Sequence, residues 1–490
     1  MKLIWTEEQN RVFDTVLATD DNGNPLHSLI KINAIAGASK TTTLVELAKR
    51  FNGTFRYLVF GNANAAEAKL KFGHNAICST LHSLAYSAVV NPYGLKTPAV
   101  SFISWAKAAE LTTVPYGHMK LVSNHVDSFC NSAHTSLDAY ADEQELDSSL
   151  VQYIRSILEA MYTGVLSTTH SFYLKLYHIG ILEGNIKPVE VDLLAVDEAG
   201  DLTQITLDIF DNYPAKQKVM VGDSGQAIFE FMKCVNGFDY YRNQGVLLNL
   251  TKSFRVSTKI AHSIQRFCNS TFDPTMVFEG MEYPISTPAV TEAYITRTNA
   301  SLIAKMVELD TSGIPFKLVS KAKAGQLFKY PLCIMGHKPG SPVYDDDLRD
   351  LCSVIDKWHT VVKHIRNSGT YTGYLMDQCA DNPSIISACK LINQFGYSAI
   401  WDAHALVDKH KHAVDVNLTL MTAHSSKGLE RDIVTLDDDM NDSVEEIIDK
   451  VMDGKDLSPA ELAELKLYYV AISRCKLALN NAKFVYNTSD

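Results

Sequence analysis

Apolar residues along the chain fall in short runs that end in small or polar residues, a pattern typical of buried parallel strands. The most informative run is residues 28–47, SLIKINAIAGASKTTTLVEL, where a β-branched stretch enters a small-residue turn and leaves it as a helix. Shorter apolar runs lie at 57–60, 192–196 and 219–223. Strands that alternate with helices predict a parallel sheet whose loops and ligand contacts gather at its carboxyl edge.

The turn in the first run has the character of a phosphate-binding loop. Such a loop reads G-x-x-x-x-G-K-[ST], because backbone amides wrap the phosphates, the lysine reaches the terminal ones and the hydroxyl holds Mg²⁺. Here residues 34–41 read AIAGASKT. Both outer glycines are replaced, the second by Ser39, whereas Gly37, Lys40 and Thr41 remain. The alternative is an ordinary strand–turn–helix that happens to hold a lysine.

Two acidic residues, Asp197 and Glu198, directly follow another apolar run. Beside a phosphate loop, Asp197 can hold Mg²⁺ while Glu198 orients and deprotonates the attacking water. A solvated acidic turn is the alternative for this pair. The run at 219–223 continues as SGQAIFEF, so Gln226 can sense the terminal phosphate and Phe231 can stack on a base.

Helix starts are marked at both ends of the chain. Thr6 is a predicted N-cap with Gln9 three residues later, which is the spacing of a capping box. The Gln9 amide has an alternative use, since it can donate to and accept from an adenine edge. Residues 458–461, SPAE, predict a capped helix that delivers Arg474. Between these, residues 91–164 are helical and irregular, so we expect an inserted subdomain there.

Composition sets the scale and the setting. A chain of 490 residues is too long for one core, so two to four domains are expected. Apolar content of 46% and charged content of 21% are those of a globular protein, without a basic-then-apolar leader or a membrane-length apolar run. Nine cysteines without a CxxC pair indicate reduced thiols. We therefore expect a cytoplasmic protein.

The net charge of −11 argues against a broad basic face that coats duplex DNA. It leaves room for a narrow channel in which stacking and local charges bind a single strand.

Together, these motifs resemble those of a superfamily 1 DNA helicase of the UvrD/Rep type, over nearly the whole chain. Residues 250–255 (LTKSFR), 421–430 (MTAHSSKGLE) and 469–475 (YVAISRC) resemble the family's fourth, fifth and sixth motifs. The stretches 80–86 and 169–177 look closer to the F-box DNA helicase branch and its phage relatives, which implies a phage or bacterial setting. No F-box is evident at the N-terminus, so only the motor half of that resemblance applies.

The resemblance implies an α/β fold with two RecA-like parallel-sheet motor domains and inserted, mainly helical accessory subdomains. The expected boundaries are residues 1–90 and 165–254 for the first, ATP-binding motor domain, 91–164 for its helical insertion, 255–320 and 405–490 for the second motor domain, and 321–404 for a reduced accessory insertion.

The resemblance also implies ATP and Mg²⁺ as cofactors and assigns roles to single residues. The implied catalytic residues are Lys40, Asp197, Glu198, Gln226 and the two arginine fingers Arg255 and Arg474. The implied ATP contacts are Gln9 on adenine, Glu430 on the ribose, and Ala36, Gly37, Ala38, Ser39, Lys40, Thr41 and Thr42 around the phosphates, with Thr41 and Asp197 holding the metal. The implied DNA contacts are Phe60, Asn62, His82, Phe231, Arg297 and His424.

Three positions depart from the family pattern. Ser39 stands where a glycine is usual, which adds strain if that position needs a positive φ. Met232 replaces an arginine after the stacking aromatic, and Arg431 replaces an aromatic after Glu430. Slower ATP turnover and looser coupling to DNA are the expected consequences.

The implied function is an ATP-dependent helicase that moves along single-stranded DNA, 3′ to 5′, and separates strands. Its expected partners are single-stranded DNA, single/double-strand junctions and unidentified replication or recombination proteins, with no membrane. One alternative is a DNA-binding remnant that holds nucleotide without productive hydrolysis. Another is a P-loop kinase or a different small-molecule phosphotransferase, which would need an acceptor site and would not be stimulated by DNA.

Overall fold

The structure is a computed structural model that describes residues 4–96, 105–115, 118–229, 234–283, 290–319, 327–343, 348–365, 369–379, 383–409 and 416–486. The chain divides into two compact units, which we call unit 1 (Met1–Lys252) and unit 2 (Ser253–Asp490). Each unit contains a parallel sheet and many helices, so the predicted α/β class is confirmed. That the units are RecA-like motor domains stays a prediction.

Unit 1 is built on a six-stranded sheet in which all neighbouring strands run parallel. The strands of this unit are β1 (Leu29–Ala34), β2 (Phe55–Leu58), β3 (Ile77–Ser79), β4 (Val191–Val196), β5 (Leu202–Thr203), β6 (Ala215–Gly222), β7 (Cys234–Val235) and β8 (Val246–Leu250). The sheet order is β3-β2-β4-β6-β1-β8, and β5 and β7 form a separate antiparallel pair.

Strands β1 and β4 are buried along most of their length, as is typical of strands in a parallel sheet. The helices of unit 1 are Glu7–Leu17, Lys40–Arg50, Asn62–Phe72, Leu81–Ala85, the π-helix Tyr86–Val90, Trp105–Leu111, Met119–Asn131, Leu137–Glu143, Ser148–Tyr162, His170–Leu182, Gln204–Asn212, the 3₁₀ turn Ser224–Gln226 and Gly237–Tyr240.

In its described residues, the stretch 91–164, expected to be an inserted helical subdomain, contains four helices with a core of their own. Val122, Ile154 and Met161 are central to that core, and Phe172 joins it from the helix His170–Leu182. The helices pack on one another because each buries one apolar face.

The carboxyl ends of five neighbouring strands bring the predicted residues of unit 1 to one edge of the sheet. Parallel strands end at the same edge, so the order of the strands fixes the order of the residues along it. From β3 to β1 the edge carries Thr80, then Phe60, then Asp197, then Asp223, and finally the loop 35–39. The predicted nucleotide residues are therefore neighbours of the predicted DNA residues within one unit.

Unit 2 has its own parallel sheet, in the order β12-β13-β11-β14-β15. Its strands are β9 (Lys252–Ser257, which begins at the last residue of unit 1), β10 (Glu279–Met281), β11 (Glu292–Thr296), β12 (Lys317–Leu318), β13 (Leu418–Thr422), β14 (Arg431–Leu436) and β15 (Cys475–Asn480). Strands β9 and β10 pair in a small sheet of their own.

The stretch 321–404, expected to be a reduced accessory insertion, is mainly helical where it is described. Its core continues onto the helix Asn299–Thr311 through Leu302 and onto β13 of the sheet through Leu420. The helices of unit 2 are Thr258–Thr271, Asn299–Thr311, Lys329–Gly336, Arg349–Thr360, the 3₁₀ turn Val362–His364, Tyr371–Gln378, Pro383–Lys409 with a kink at Gly396, Ala423–Ser426, Asp438–Met452, Pro459–Ile472 and Lys483–Tyr486. Within the described part of the chain, no helix is both long and apolar enough to cross a membrane.

Candidate functional site

The predicted phosphate loop is a tight turn between β1 and the helix Lys40–Arg50. Gly37 has a φ of 78° and Ser39 a φ of 58°, both in the left-handed region. Glycine adopts this conformation freely, whereas for a residue with a Cβ it costs roughly 1–2 kcal/mol in conformational energy. The turn therefore keeps the backbone shape that a glycine would give, at the cost of some strain at Ser39.

Small side chains and backbone hydrogen bonds hold this turn closed. Ala36 and Ala38 are buried. The Ile35 amide donates to the Leu250 carbonyl of β8 at 3.1 Å, and the Ala38 amide donates to the Ile35 carbonyl at 3.1 Å. The turn thus leads directly into the N-terminus of a helix, where backbone amides and the helix dipole favour an anion.

Lys40 and the two threonines that follow it occupy the first turn of that helix. The Lys40 Nζ donates to the Ala34 carbonyl at 3.3 Å, so the side chain folds back over the loop. Thr41 is half-buried and Thr42 is exposed. This arrangement places an ammonium and a hydroxyl beside the same turn, as a phosphate loop requires.

Gln9 forms the predicted capping box with Thr6, which is confirmed. In addition, the Gln9 Nε2 donates to the Thr43 hydroxyl at 2.9 Å, and that hydroxyl donates to the Ser39 carbonyl at 3.0 Å. Gln9 is buried and links the first helix to the phosphate loop. Its contact with adenine stays a prediction.

Asp197 follows the end of β4, and each of its carboxylate oxygens has a partner. The Tyr57 hydroxyl donates to Oδ2, and the Glu198 amide donates to Oδ1 at 2.9 Å. Desolvation and the charge of Glu198 raise the pKa of Asp197, although Tyr57 and Lys40 counteract part of that rise. Glu198 itself has a φ of 55°, a strained conformation of the kind found at functional sites.

Gln226 lies in the 3₁₀ turn that follows β6. Its Nε2 donates to the Asp223 carboxylate at 2.7 Å, and the same carboxylate accepts from the Gly225 amide at 3.0 Å. The Ser224 amide donates to the Asn33 side chain on β1 at 3.0 Å. The turn that carries Gln226 is therefore fixed to the strand that leads into the phosphate loop.

Three of the predicted DNA residues line one cavity of about 680 Å³ in unit 1. Phe60 is 67% exposed, Asn62 is exposed and His82 is half-buried. Asp197 lines the same cavity. The predicted metal ligand and the predicted strand contacts therefore share one concave surface.

A cluster of aromatic side chains forms one wall of this cavity, namely His82, Tyr86, His170 and Tyr173. His82 lies edge-on to His170 and to Tyr173, with ring centroids 6.2 and 6.1 Å apart, and Tyr86 lies edge-on to Tyr173 at 5.8 Å. Burial and the neighbouring His170 lower the pKa of His82. Aromatic rings at a cavity wall offer surfaces on which nucleobases can stack.

In unit 2, Arg255 and Glu430 are hydrogen-bonded to each other. The Arg255 Nε donates to the Glu430 carboxylate at 2.9 Å, and the Lys476 Nζ lies 2.7 Å from the other oxygen of that carboxylate. Burial alone would raise the pKa of Glu430, but Lys476 and Arg255 outweigh it and hold that pKa below its ordinary value. The predicted arginine finger and the predicted ribose contact thus form one charged cluster.

Arg474 is 2% exposed, and its guanidinium donates within unit 2. Its Nε donates to the Val470 carbonyl at 2.8 Å, one terminal nitrogen donates to the Leu429 carbonyl at 3.4 Å, and the other donates to the Ser473 hydroxyl at 2.9 Å. As predicted, a capped helix leads to it: the helix Pro459–Ile472 begins with a capping box at Ser458 and ends two residues before Arg474. The role of Arg474 toward phosphate stays a prediction.

Arg297 and His424, both predicted DNA contacts, line a second cavity of about 420 Å³ in unit 2. The Arg297 guanidinium makes a two-pronged ion pair with Glu464, at 2.5 and 3.0 Å. Asp439 accepts hydrogen bonds from the backbone amides of Arg297 and Thr298. Arg297 is thereby held in place from two sides.

Two of the positions singled out from the sequence, Phe231 and Met232, lie outside the described residues. Among the residues at the sites that had not been selected from the sequence are Tyr57, which donates to Asp197, and Asn33, which holds the turn of Gln226. Asn33 had a usable signal, because it is a polar residue near the carboxyl end of an apolar strand. Tyr57 had none, since a tyrosine within a buried strand is ordinary.

The edge of unit 1 offers the donor set that a magnesium nucleotide needs. The helix N-terminus and Lys40 supply positive charge for phosphates, while the Thr41 hydroxyl and the Asp197 carboxylate supply oxygen ligands of the kind Mg²⁺ prefers. Each Asp197 oxygen keeps a second lone pair beyond the hydrogen bond that it accepts. The residues present therefore fit the group that the sequence implies.

The chain is similar in sequence to two proteins whose names describe DNA helicases. It is 26% identical to "F-box DNA helicase protein 1" of Schizosaccharomyces pombe over an alignment of 528 residues, which covers 97% of this chain and 57% of that protein. It is 24% identical to "F-box DNA helicase 1" of Gallus gallus over 533 residues, which covers 97% of this chain and 48% of that protein. The chain thus spans about half the length of these curated relatives. No protein-family model matches it.

Proposed function

We propose that this protein is an ATP-dependent DNA helicase of superfamily 1, UvrD/Rep type, that moves along single-stranded DNA and separates strands. Units 1 and 2 act as its two RecA-like motor domains, and the polarity is 3′ to 5′, as the family resemblance implies. One observation carries the proposal. Within unit 1, one sheet edge places the phosphate loop, the Asp197–Glu198 pair and Gln226 beside the cavity of Phe60, Asn62 and His82.

Unit 1 is the ATP-binding unit in this proposal. The loop 35–39, Lys40 and Thr41 hold the phosphates, and Asp197 with Thr41 holds the metal. Bound Mg²⁺ would neutralise charge that develops on the transferring phosphoryl group. Glu198 lies next to Asp197 and is the base that orients the attacking water, while Gln226 senses the terminal phosphate.

The substrate strand binds to the same unit through stacking. Phe60 is exposed at the mouth of the cavity, and rings of this kind stack on bases without regard to sequence. Arg297 and His424 are proposed strand contacts of unit 2. A net charge of −11 fits a narrow stacking surface better than a broad phosphate-binding face.

Unit 2 supplies the proposed arginine fingers Arg255 and Arg474. A planar, permanently charged guanidinium matches the charge that spreads over a transferring phosphoryl group. Both guanidinium groups have partners within unit 2 in this structure. Their action on phosphate therefore requires that they exchange those partners during the ATP cycle.

The second candidate function is a nucleotide-holding, DNA-binding protein with little hydrolysis. The left-handed conformation of Ser39 favours it, because a residue with a Cβ holds that conformation only at a cost in stability, in the loop that has to keep its shape around the phosphates. The two candidates differ in a single observable, namely phosphate release.

The test is phosphate release from Mg·ATP by the purified chain, with and without single-stranded DNA. The helicase proposal predicts turnover that rises severalfold on single-stranded DNA and is lost in Lys40→Ala. Lys49→Ala is the matched control, since Lys49 lies on the same helix with an exposed side chain paired only loosely with Glu46, at 3.9 Å. DNA binding without turnover would favour the second candidate. Turnover that DNA leaves unchanged would favour a small-molecule phosphotransferase.

A further inference from the structure

Tyr57 occupies an unusual place for a tyrosine hydroxyl. It lies on β2, paired in register with Ala195 of β4, two residues before that strand leads into Asp197. The side chain is 1% exposed. A buried hydroxyl needs a hydrogen-bond partner, because leaving it unsatisfied costs about 1–3 kcal/mol.

The partner is the carboxylate of Asp197, which lies 140 residues further along the chain. The Tyr57 hydroxyl donates to Oδ2, while the amide of Glu198 donates to Oδ1. Two donors on two different oxygens leave the carboxylate little freedom to rotate. The same pair of bonds fixes the backbone at Glu198, whose φ of 55° needs support.

The ring of Tyr57 is itself held firmly. It packs against Phe72 with ring centroids 4.7 Å apart and a tilt of 30°. An ordinary tyrosine hydroxyl has a pKa of about 10, so it carries its proton and can donate at neutral pH. The packing is apolar, so a phenylalanine fits the same space without the hydroxyl.

We propose that Tyr57 is a positioning residue for metal binding, whose hydroxyl holds the Asp197 carboxylate in the orientation that receives the Mg²⁺ of a bound nucleotide. The inference rests on the proposed function, since it assumes that Asp197 is the metal ligand. Groups that orient a metal ligand commonly change metal affinity by about 10- to 100-fold when they are removed. Tyr57 does not contact the nucleotide in this account, so binding of metal-free nucleotide does not depend on it.

The experiment compares Tyr57→Phe with the parental chain by titration of a fluorescent ATPγS, once in EDTA and once in saturating Mg²⁺. The ratio of the two affinities measures how strongly the metal supports nucleotide binding. We expect equal affinities in EDTA and a ratio about tenfold smaller in Tyr57→Phe. A merely structural role would change both affinities together.

The matched control is Tyr241→Phe. Tyr241 is also buried in unit 1 and donates to a carboxylate, Asp211, at 2.6 Å, but it lies away from the phosphate loop in the described structure. Loss of the Tyr241 hydroxyl shows how much a buried tyrosine–aspartate hydrogen bond away from the phosphate loop changes the ratio of the two nucleotide affinities. We expect its ratio to equal that of the parental chain.

Two outcomes overturn the inference, and they are distinguishable. If Tyr57→Phe keeps the parental ratio while the parental chain shows a clear Mg²⁺ effect, the positioning role is wrong and the proposed function stands. If the parental chain itself binds ATPγS equally in EDTA and in Mg²⁺, or does not bind it, the metal role of Asp197 and the inference fail together. Thermal unfolding of each variant shows that the comparison is made on folded protein.

Discussion

The predicted residues of the two units differ in their positions and in the groups to which they are bonded. In unit 1, Asp197, the turn of Gln226 and the loop that leads into Lys40 follow the ends of β4, β6 and β1 at one edge of the sheet. The side chains of Lys40, Asp197 and Gln226 bond to groups within that unit. In unit 2, the guanidinium groups of the predicted arginines are held by a carboxylate or by backbone carbonyls. Arg297 is paired with Glu464 and Arg474 is buried among backbone carbonyls.

This difference shows in which unit existing hydrogen bonds have to be broken before a phosphate can be bound. The site of unit 1 is assembled by the fold, so a ligand meets groups that are largely in place. The arginines of unit 2 have to give up charge-assisted hydrogen bonds, each worth roughly 1.5–3 kcal/mol, before they can meet a phosphate. We therefore expect substitutions in unit 1 to act on chemistry directly, and substitutions in unit 2 to act on turnover more than on affinity.

The largest effect is expected for the pair Asp197→Asn and Glu198→Gln. These changes remove a metal-binding charge and the base while keeping side-chain size, so DNA-stimulated phosphate release should fall to background. The matched control is Glu190→Gln, an exposed carboxylate just before the other end of β4. Full turnover by the double variant, with circular dichroism unchanged, would show that the edge of unit 1 is not the catalytic site.

The next largest effect is expected at Arg474. An arginine finger contributes on the order of 10³–10⁵ in rate, so Arg474→Ala should lower turnover by at least about 10³-fold and nucleotide affinity much less. Arg474→Lys should restore little, because an ammonium lacks the planar fork. Steady-state kinetics and a nucleotide titration separate the two quantities. If turnover and nucleotide affinity fell equally, Arg474 would have a structural role, which would fit its hydrogen bonds to the Val470 and Leu429 carbonyls.

A smaller effect is expected at Phe60. Its removal takes away one exposed stacking surface, so Phe60→Ala should weaken single-strand binding by about 1–3 kcal/mol while basal ATP turnover persists. A labelled oligonucleotide titration gives the affinity. Leu70→Ala is the control, since Leu70 is 86% exposed on the helix that follows Phe60. If both variants bind like the parental chain, Phe60 is not part of the strand surface.

The smallest effect concerns the helix that leads to Arg474. Lys450 and the capping residue Ser458 lower the pKa of Glu461 from 4.5 to about 2. A carboxylate with a lowered pKa stabilises the fold above its unfolded pKa, and this contribution is lost as the pH falls from about 4.5 toward 2. The melting temperature of the parental chain should therefore fall more steeply over that range than that of Glu461→Gln. If the melting temperatures of both proteins fell equally with pH, Glu461 would not contribute to the pH dependence of stability.

Local sequence patterns predicted the strand, turn and helix around Lys40 and the strand that ends before Asp197, because these features are local in sequence. The strand, turn and first helical residues around Lys40 are contiguous, and Asp197 and Glu198 directly follow an apolar run. In a parallel sheet, such strand ends must meet at one edge, so the neighbourhood followed from the pattern. The capping boxes at Thr6 and Ser458 were visible for the same reason.

Long-range partners could not be foretold in this way. Arg297 and Glu464 are 167 residues apart, and Tyr57 and Asp197 are 140 apart, so no window along the chain contains either pair. The burial of Arg474 is a tertiary effect of the same kind. In the stretch 321–404 the helices share a core with the sheet of unit 2, although the sequence there offered no motif.

The central claim is that this chain couples ATP hydrolysis to the separation of DNA strands, and strand displacement tests it most directly. The substrates are one labelled duplex with a 3′ single-stranded tail, the same duplex with a 5′ tail, and a blunt form. We predict that the parental chain displaces the strand of the 3′-tailed duplex only with Mg·ATP, and that Lys40→Ala does not. The claim would be contradicted if the protein hydrolysed ATP on single-stranded DNA and yet displaced no strand from any of the three substrates.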